Sequence, residues 1–351
     1  MQSGATTSSA FSSLRAWLTA RDWPRAVRWL SIVTAAMVFL VHTMGVVVTT
    51  TGSAAGCANT WPLCKGQFIP AQFTQATLIE FQHRLGVPIV TVLMVALIAG
   101  CFWLYRRRLE VWILGPLMFL TLIGQAILGA LAVAYPTSAV ILAFHFGVSS
   151  LAVASVITTA FFVHSFDGAD RLRDRPATNG FRWLVWVVTA YTYVVIYLGA
   201  YVLHTNSALA CTAWPICDVA RPFPPMSVEP AVINMTHRIA AGVLVLLVIG
   251  IVAWASRLRR ARPDFYWASV LALVLVLAQA LEGIVVVFSA ATIWAEVFHS
   301  AFIALFFSVM CVMVLQTFKR SAAARNAPTT RAMTRPAPRP SRNAIAATSG
   351  R

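Results

Sequence analysis

Eight long runs of this 351-residue chain carry almost no charge. They span approximately 28–50, 77–103, 112–134, 139–164, 182–203, 232–256, 266–289 and 293–317. About 20 apolar residues are enough to cross ~30 Å of hydrocarbon as a helix, because each residue rises ~1.5 Å. In lipid every backbone N–H and C=O must be satisfied within the segment. Runs of this length therefore specify an all-α integral membrane protein with eight transmembrane helices. Composition agrees: 59% of residues are hydrophobic and 11% charged, against about 25% charged in soluble domains.

The formal charge of +16 could suggest a nucleic-acid partner, but the placement of the arginines argues otherwise. Arg106, Arg107 and Arg108 follow the second run. Arg171, Arg173 and Arg175 follow the fourth, Arg257, Arg259, Arg260 and Arg262 the sixth, and Lys319 and Arg320 the eighth. The alternate loops, including 51–76 and 204–231, are poor in basic residues. This bias predicts a multi-pass protein of the cell membrane with both termini cytoplasmic and the cysteine-bearing loops extracellular. Residues 1–27 form a polar cytoplasmic segment with Arg15, Arg21 and Arg25, unlike a cleaved signal peptide. The Ala-, Pro-, Arg- and Thr-rich tail, 319–351, is expected to be disordered and cytoplasmic.

The chain also repeats itself at an offset of 154 residues. Gly45, Thr51, Ser53 and Cys57 match Gly199, Thr205, Ser207 and Cys211. His83-Arg84 matches His237-Arg238, Gln125 and Gly129 match Gln279 and Gly283, and Phe144-His145 matches Phe298-His299. After a one-residue deletion, Trp61-Pro62-Leu63-Cys64 matches Trp214-Pro215-Ile216-Cys217. Generic apolar similarity does not keep such residues in step. Four helices per copy bring both copies in from the same side. The expected architecture is two pseudo-symmetric parallel four-helix bundles, 28–165 and 182–318, joined by a cytoplasmic linker at 166–181.

Four histidines survive the duplication: His83, His145, His237 and His299. Each lies near the start of an even-numbered helix, so topology sets them at similar depths in the outer part of the membrane. Intramembrane histidines are costly and default to function. Two neutral imidazoles facing each other across a bundle can ligate a heme iron from both sides. The competing reading is interhelical hydrogen bonding. A zinc site is disfavoured, since no cysteine or carboxylate pair accompanies each histidine pair. His42, His164 and His204 have no histidine counterpart and read as structural or interfacial.

The other polar residues divide similarly. Cys57 and Cys64, like Cys211 and Cys217, each close a short outer loop and are expected to form disulfides. A purely structural role competes with a redox or heme-handling role for Cys57–Cys64. Cys101 and Cys311 read as inert buried thiols. Arg84 and Arg238 suit either heme propionates or structural contacts. Gln125 and Gln279, with Gly129 and Gly283 one turn on, suit helix packing. Glu80 breaks the repeat: it lies one turn before His83, and its counterpart is Asn234. A buried carboxylate there can act as acid, base or proton relay, or be a satisfied structural group. Glu282 and Glu296, opposite Leu128 and Leu142, read as cofactor-side or interfacial groups.

Taken as a set, Glu80-x-x-His83-Arg84, His145, His237-Arg238, His299 and the two outer cysteine pairs resemble the heme A synthase family over about residues 28–318. The resemblance implies an oxidoreductase that converts the C8 methyl group of heme O to the formyl group of heme A for terminal oxidase assembly. It implies that substrate heme O binds at His83 and His145 and that heme b binds as cofactor at His237 and His299, with Glu80 catalytic. A heme O synthase and an electron donor such as a quinol are the partners expected beside membrane lipid. Two other classes compete: a diheme cytochrome b-type electron carrier, and a heme transporter or chaperone.

Overall fold

The computed structural model describes residues 23–175, 177–218, 223 and 229–318. The expectations for residues 1–22 and 319–351 lie outside these, as does most of the segment before Glu229. Among the described residues the chain forms eight long helices. They are α1 Trp23–Thr50, α2 Gln75–Tyr105, α3 Leu109–Ala134, α4 Ala139–Arg173, α5 Asn179–His204, α6 Glu229–Leu258, α7 Pro263–Phe288 and α8 Ile293–Gln316. All eight are long and apolar enough to cross a membrane.

Local chemistry sets the helix ends. Thr74, Ser138 and Thr178 cap α2, α4 and α5, each side chain accepting from the N–H three residues on. Pro263 opens α7, where its missing N–H costs nothing. Just past α1, Gly52 takes the left-handed conformation at φ 64°. Its counterpart beyond α5, Asn206, does the same at φ 54°, asparagine being a common substitute for glycine there. Thr51 and Thr205 then bond Ser53 and Ser207 at 2.6 and 2.8 Å. The two copies thus turn into their cysteine loops in the same way.

Helix α1 packs on α2 and α4, and α3 on both; α5 packs on α6 and α8, and α7 on both. Contact between the halves runs mainly through α4 against α8 and α5, and through α1 against α8. Burial follows this plan: half of the most apolar stretch of α8 and 44% of that of α4 are buried, against 11% for α3 and 17% for α7. One large core cluster joins α5–α8 with Ala154 of α4. The other joins α1–α4 with Ala304 and Leu315 of α8. Side chains such as Trp183, Leu246 and Val92 point outward, as lipid-facing positions do. Lipid tails are as apolar as these side chains, so association rests on packing and polar ties rather than on hydrophobic burial.

Helix α4 runs nine residues past the expected end at 164, to Arg173. The extension carries polar residues that would be stranded in a loop. Arg173 pairs with Glu110 of α3 and donates to the Leu315 carbonyl of α8 at 2.7 Å, while Asp170 pairs with Arg108. Nearby, Arg262 bonds Asp264 and the carbonyls of Arg175 and Gln316. Several arginines at this end therefore fasten helices together.

Candidate functional site

The four repeated histidines project from α2, α4, α6 and α8, each seated against a glycine of a neighbouring helix. A Cβ on Gly45 of α1 would lie 3.3 Å from Cε1 of His83, and one on Gly199 of α5 would lie 2.9 Å from Cε1 of His237. On the other side, Gly129 of α3 faces His145 at 3.7 Å and Gly283 of α7 faces His299 at 3.3 Å. The odd helices give up a side chain where the even helices present an imidazole. The sequence predicts helix packing and hydrogen bonding for Gln125, Gln279, Gly129 and Gly283, and the two glycines pack against the imidazole rings of the facing helices.

Nδ1 of His145 and of His237 is buried without a hydrogen-bond partner, while the backbones of Val41 and Gln279 lie beside the rings of His83 and His299. Leaving such a group unpaired costs about 1–3 kcal/mol. In the second half, His237 and His299 both line a cavity of about 650 Å³. Gly199, Gly283, Arg238, Asn234, Gln279 and Glu296 also border it, within a largely apolar wall. Ligand sites of about 300–1,000 Å³ are typical. Among the described residues no group of three or more His, Cys, Asp or Glu forms a metal cage. Two imidazoles bordering one largely apolar cavity suit a heme better than a bare ion. The same glycine seats at His83 and His145 fit the first half to the same group.

The cysteine loops are tied down by the arginines that follow His83 and His237. Both disulfides, Cys57–Cys64 and Cys211–Cys217, are formed. Arg84 Nη1 donates to the carbonyls of Thr60 and Leu63 at 2.5 and 2.9 Å. Arg238 Nη1 donates to the matching carbonyls of Ala213 and Ile216 at 2.5 and 3.2 Å. Each arginine thus anchors its own cysteine loop over its own histidine, and Arg238 also borders the cavity.

The copies diverge at Glu80. Its Oε1 accepts from Arg84 at 2.5 Å, and its Oε2 accepts from the Cys57 N–H at 2.7 Å. In the other copy Asn234 donates to the Ser207 and Ala208 carbonyls, and Arg238 reaches the Cys211 carbonyl directly. Glu80 therefore connects α2, Arg84 and the disulfide loop. Glu296, three residues before His299, is buried and borders the second cavity. Each half thus has a carboxylate one turn before one of its histidines. Gln125 donates to the His145 carbonyl at 2.8 Å, an interhelical bond, whereas Gln279 borders the cavity and its Oε1 has no partner. His164 is exposed on α4 and bonds the Ala160 carbonyl. His204 sits half-buried at the end of α5. Cys101 and Cys311 are free thiols.

A profile of the cytochrome oxidase assembly protein family (COX15-CtaA) matches residues 28–311. Curated relatives carry the name heme A synthase. Those of Bacillus cereus strain ATCC 10987 and Bacillus anthracis strain CDC 684 are each 33% identical over 311 residues, covering 89% of this chain and 99% of theirs. A third, from Bacillus cereus strain AH187, is 33% identical over 303 residues. The chain belongs to the heme A synthase family. The matched span takes in six helices whole and most of α1 and α8, with both cysteine loops and the four seated histidines. A heme A synthase needs a membrane setting and a place for heme, and the helices and the histidine–glycine seats are suited to both.

Proposed function

We propose that this chain makes heme A in its N-terminal half, residues 28–165, and holds heme b in its C-terminal half, residues 182–318. Heme O would bind as substrate between His83 and His145. The two halves would be pseudo-symmetric bundles joined through 166–181, with both termini cytoplasmic and the disulfide loops outside. The observation that carries the two-heme reading is the fourfold seating of a histidine ring against a glycine.

The residues divide the work as follows. His237 and His299 would hold heme b, with Arg238 near its propionates, and heme b bound there would supply one-electron transfer. His83 and His145 would orient heme O, and Arg84 would fix the loop above it. Forming the formyl group replaces two C–H bonds of the C8 methyl group by a C=O bond; it would balance as two hydroxylations by dioxygen, each taking two electrons from the donor and two protons and releasing one water, followed by loss of a further water from the resulting gem-diol. Glu80 is the proposed catalytic carboxylate for the proton. Taking one up there would loosen the contact with Arg84 and so be felt by the Cys57–Cys64 loop. A quinol or other donor and a heme O synthase are the proposed partners.

The test is pigment extraction from cells that express the chain together with a heme O source. Heme A should appear only when the chain is present. Heme O alone, with the protein loaded with heme, would overturn the proposal in favour of an electron carrier or heme carrier.

A further inference from the structure

The two halves differ at a second place, one helical turn along α1 and α4 from the histidine seats. His42 lies on α1, three residues before Gly45 and therefore on the same face. Ser149 lies on α4, four residues after His145 and again on the same face. His42 Nδ1 and Ser149 Oγ bond at 3.0 Å. The His42 ring also packs on Phe146, with centroids 5.0 Å apart. His42 is 4% exposed, and its Nε2 is buried with no partner.

The counterparts of His42 and Ser149, 154 residues on, are Ile196 and Ile303. Both line the cavity that holds His237 and His299. The same wall is thus apolar in one half and carries a buried, oriented imidazole in the other. Hydrogen bonding to Ser149 fixes the ring, so Nε2 has one direction in which to work. A buried nitrogen in a membrane that meets no protein partner is poised for a ligand atom.

We propose that His42, oriented by Ser149, is a specificity-determining positioning residue of the N-terminal half, where Nε2 hydrogen-bonds an oxygen atom of the site's occupant. This rests on the reading of that half as the heme O site. The oxygen has two sources: the hydroxyl of the hydroxyalkyl side chain that heme O carries in place of a vinyl group of heme b, or a water bound beside the porphyrin.

The decisive variant is His42→Ile/Ser149→Ile. It rewrites the wall as the other half already has it, so the chain's own second copy is the precedent for its packing. His42→Gln, which keeps a hydrogen-bonding side chain, is the conservative companion. Full-length protein freed of heme is titrated with heme O and, separately, with heme b, following the bis-imidazole absorbance and the midpoint potential of each bound heme. Unmodified protein should prefer heme O at the N-terminal site. In the double isoleucine variant that preference should fall about tenfold, the scale of one buried hydrogen bond, and His42→Gln should restore part of it. A selective loss of heme O identifies the hydroxyl as the partner. An equal shift in potential for both hemes, at unchanged relative affinity, identifies water. Unchanged affinities and potentials overturn the inference, even where heme A production continues. Absence of heme A from unmodified protein would instead overturn the parent reading, and the titrations would still report on His42.

Discussion

At the scale of single residues, Glu80 and Asn234 occupy the same position and do opposite things. Glu80 accepts, drawing in the Cys57 N–H and the Arg84 guanidinium. Asn234 donates, holding the Ser207 and Ala208 carbonyls. Each satisfies its own loop, so loop anchoring alone does not require a carboxylate. Glu80→Gln keeps an oxygen for the Cys57 N–H, and Arg84 keeps the Thr60 and Leu63 carbonyls. The variant should therefore fold and load heme as the parent does. Heme A formation should fall by about 100-fold or more, the lower range for removing a positioned proton-transfer group. Pigment extraction beside a heme-content assay checks both. A normal heme A yield would return Glu80 to a structural role.

At the scale of helices, the four glycine–histidine seats grade themselves by distance. A methyl at Gly199 would fall 2.9 Å from its ring, at Gly45 and Gly283 3.3 Å, and at Gly129 3.7 Å. Alanine substitutions should therefore disturb bis-imidazole absorbance most at Gly199, less at Gly45 and Gly283, and least at Gly129, where the contact is ordinary van der Waals. Equal loss at all four positions would mean the glycines serve helix approach in general rather than the rings. The glycines were visible in the sequence as repeated residues, but helical spacing reports which face a residue shares and not what that face meets. The eight helices were legible to within a few residues, because apolar length is a strong signal. The overrun of α4 to Arg173 was not, because its polar end is stabilised by partners on α3 and α8 far away in sequence. The pairing of His42 with Ser149 was hidden for a related reason. A reading guided by duplication sets aside residues that have no counterpart, and this pair is informative because the other copy has isoleucines. Glu296 was flagged by its lack of a carboxylate counterpart, yet only the fold brings it to the cavity beside His299.

At the scale of the whole molecule, the halves meet along α4 and α8, and the end opposite the cysteine loops is closed by buried charge. Arg173 and Glu110 form an ion pair with side chains only 5% and 4% exposed. Arg173 also reaches the Leu315 carbonyl near the end of α8, which otherwise accepts the Phe318 N–H at 3.3 Å. One guanidinium thus serves a pair within the first half and a strap to the second. These two duties separate in a pair of variants. Arg173→Met strands Glu110 and should lower stability by about 3–5 kcal/mol, the usual effect of removing one partner of a buried pair. Adding Glu110→Leu removes the stranded charge and should recover most of that loss, since apolar replacements of buried pairs are often neutral or better. Recovery should stop about 1 kcal/mol short, the net worth of one hydrogen bond, because the Leu315 carbonyl then keeps only the Phe318 N–H. Thermal unfolding in detergent, with absorbance of bound heme followed in parallel, reads the difference. Full recovery in the double variant would mean that the strap contributes nothing. A shortfall, with both hemes retained, would assign the remaining stability to the joint between the two halves.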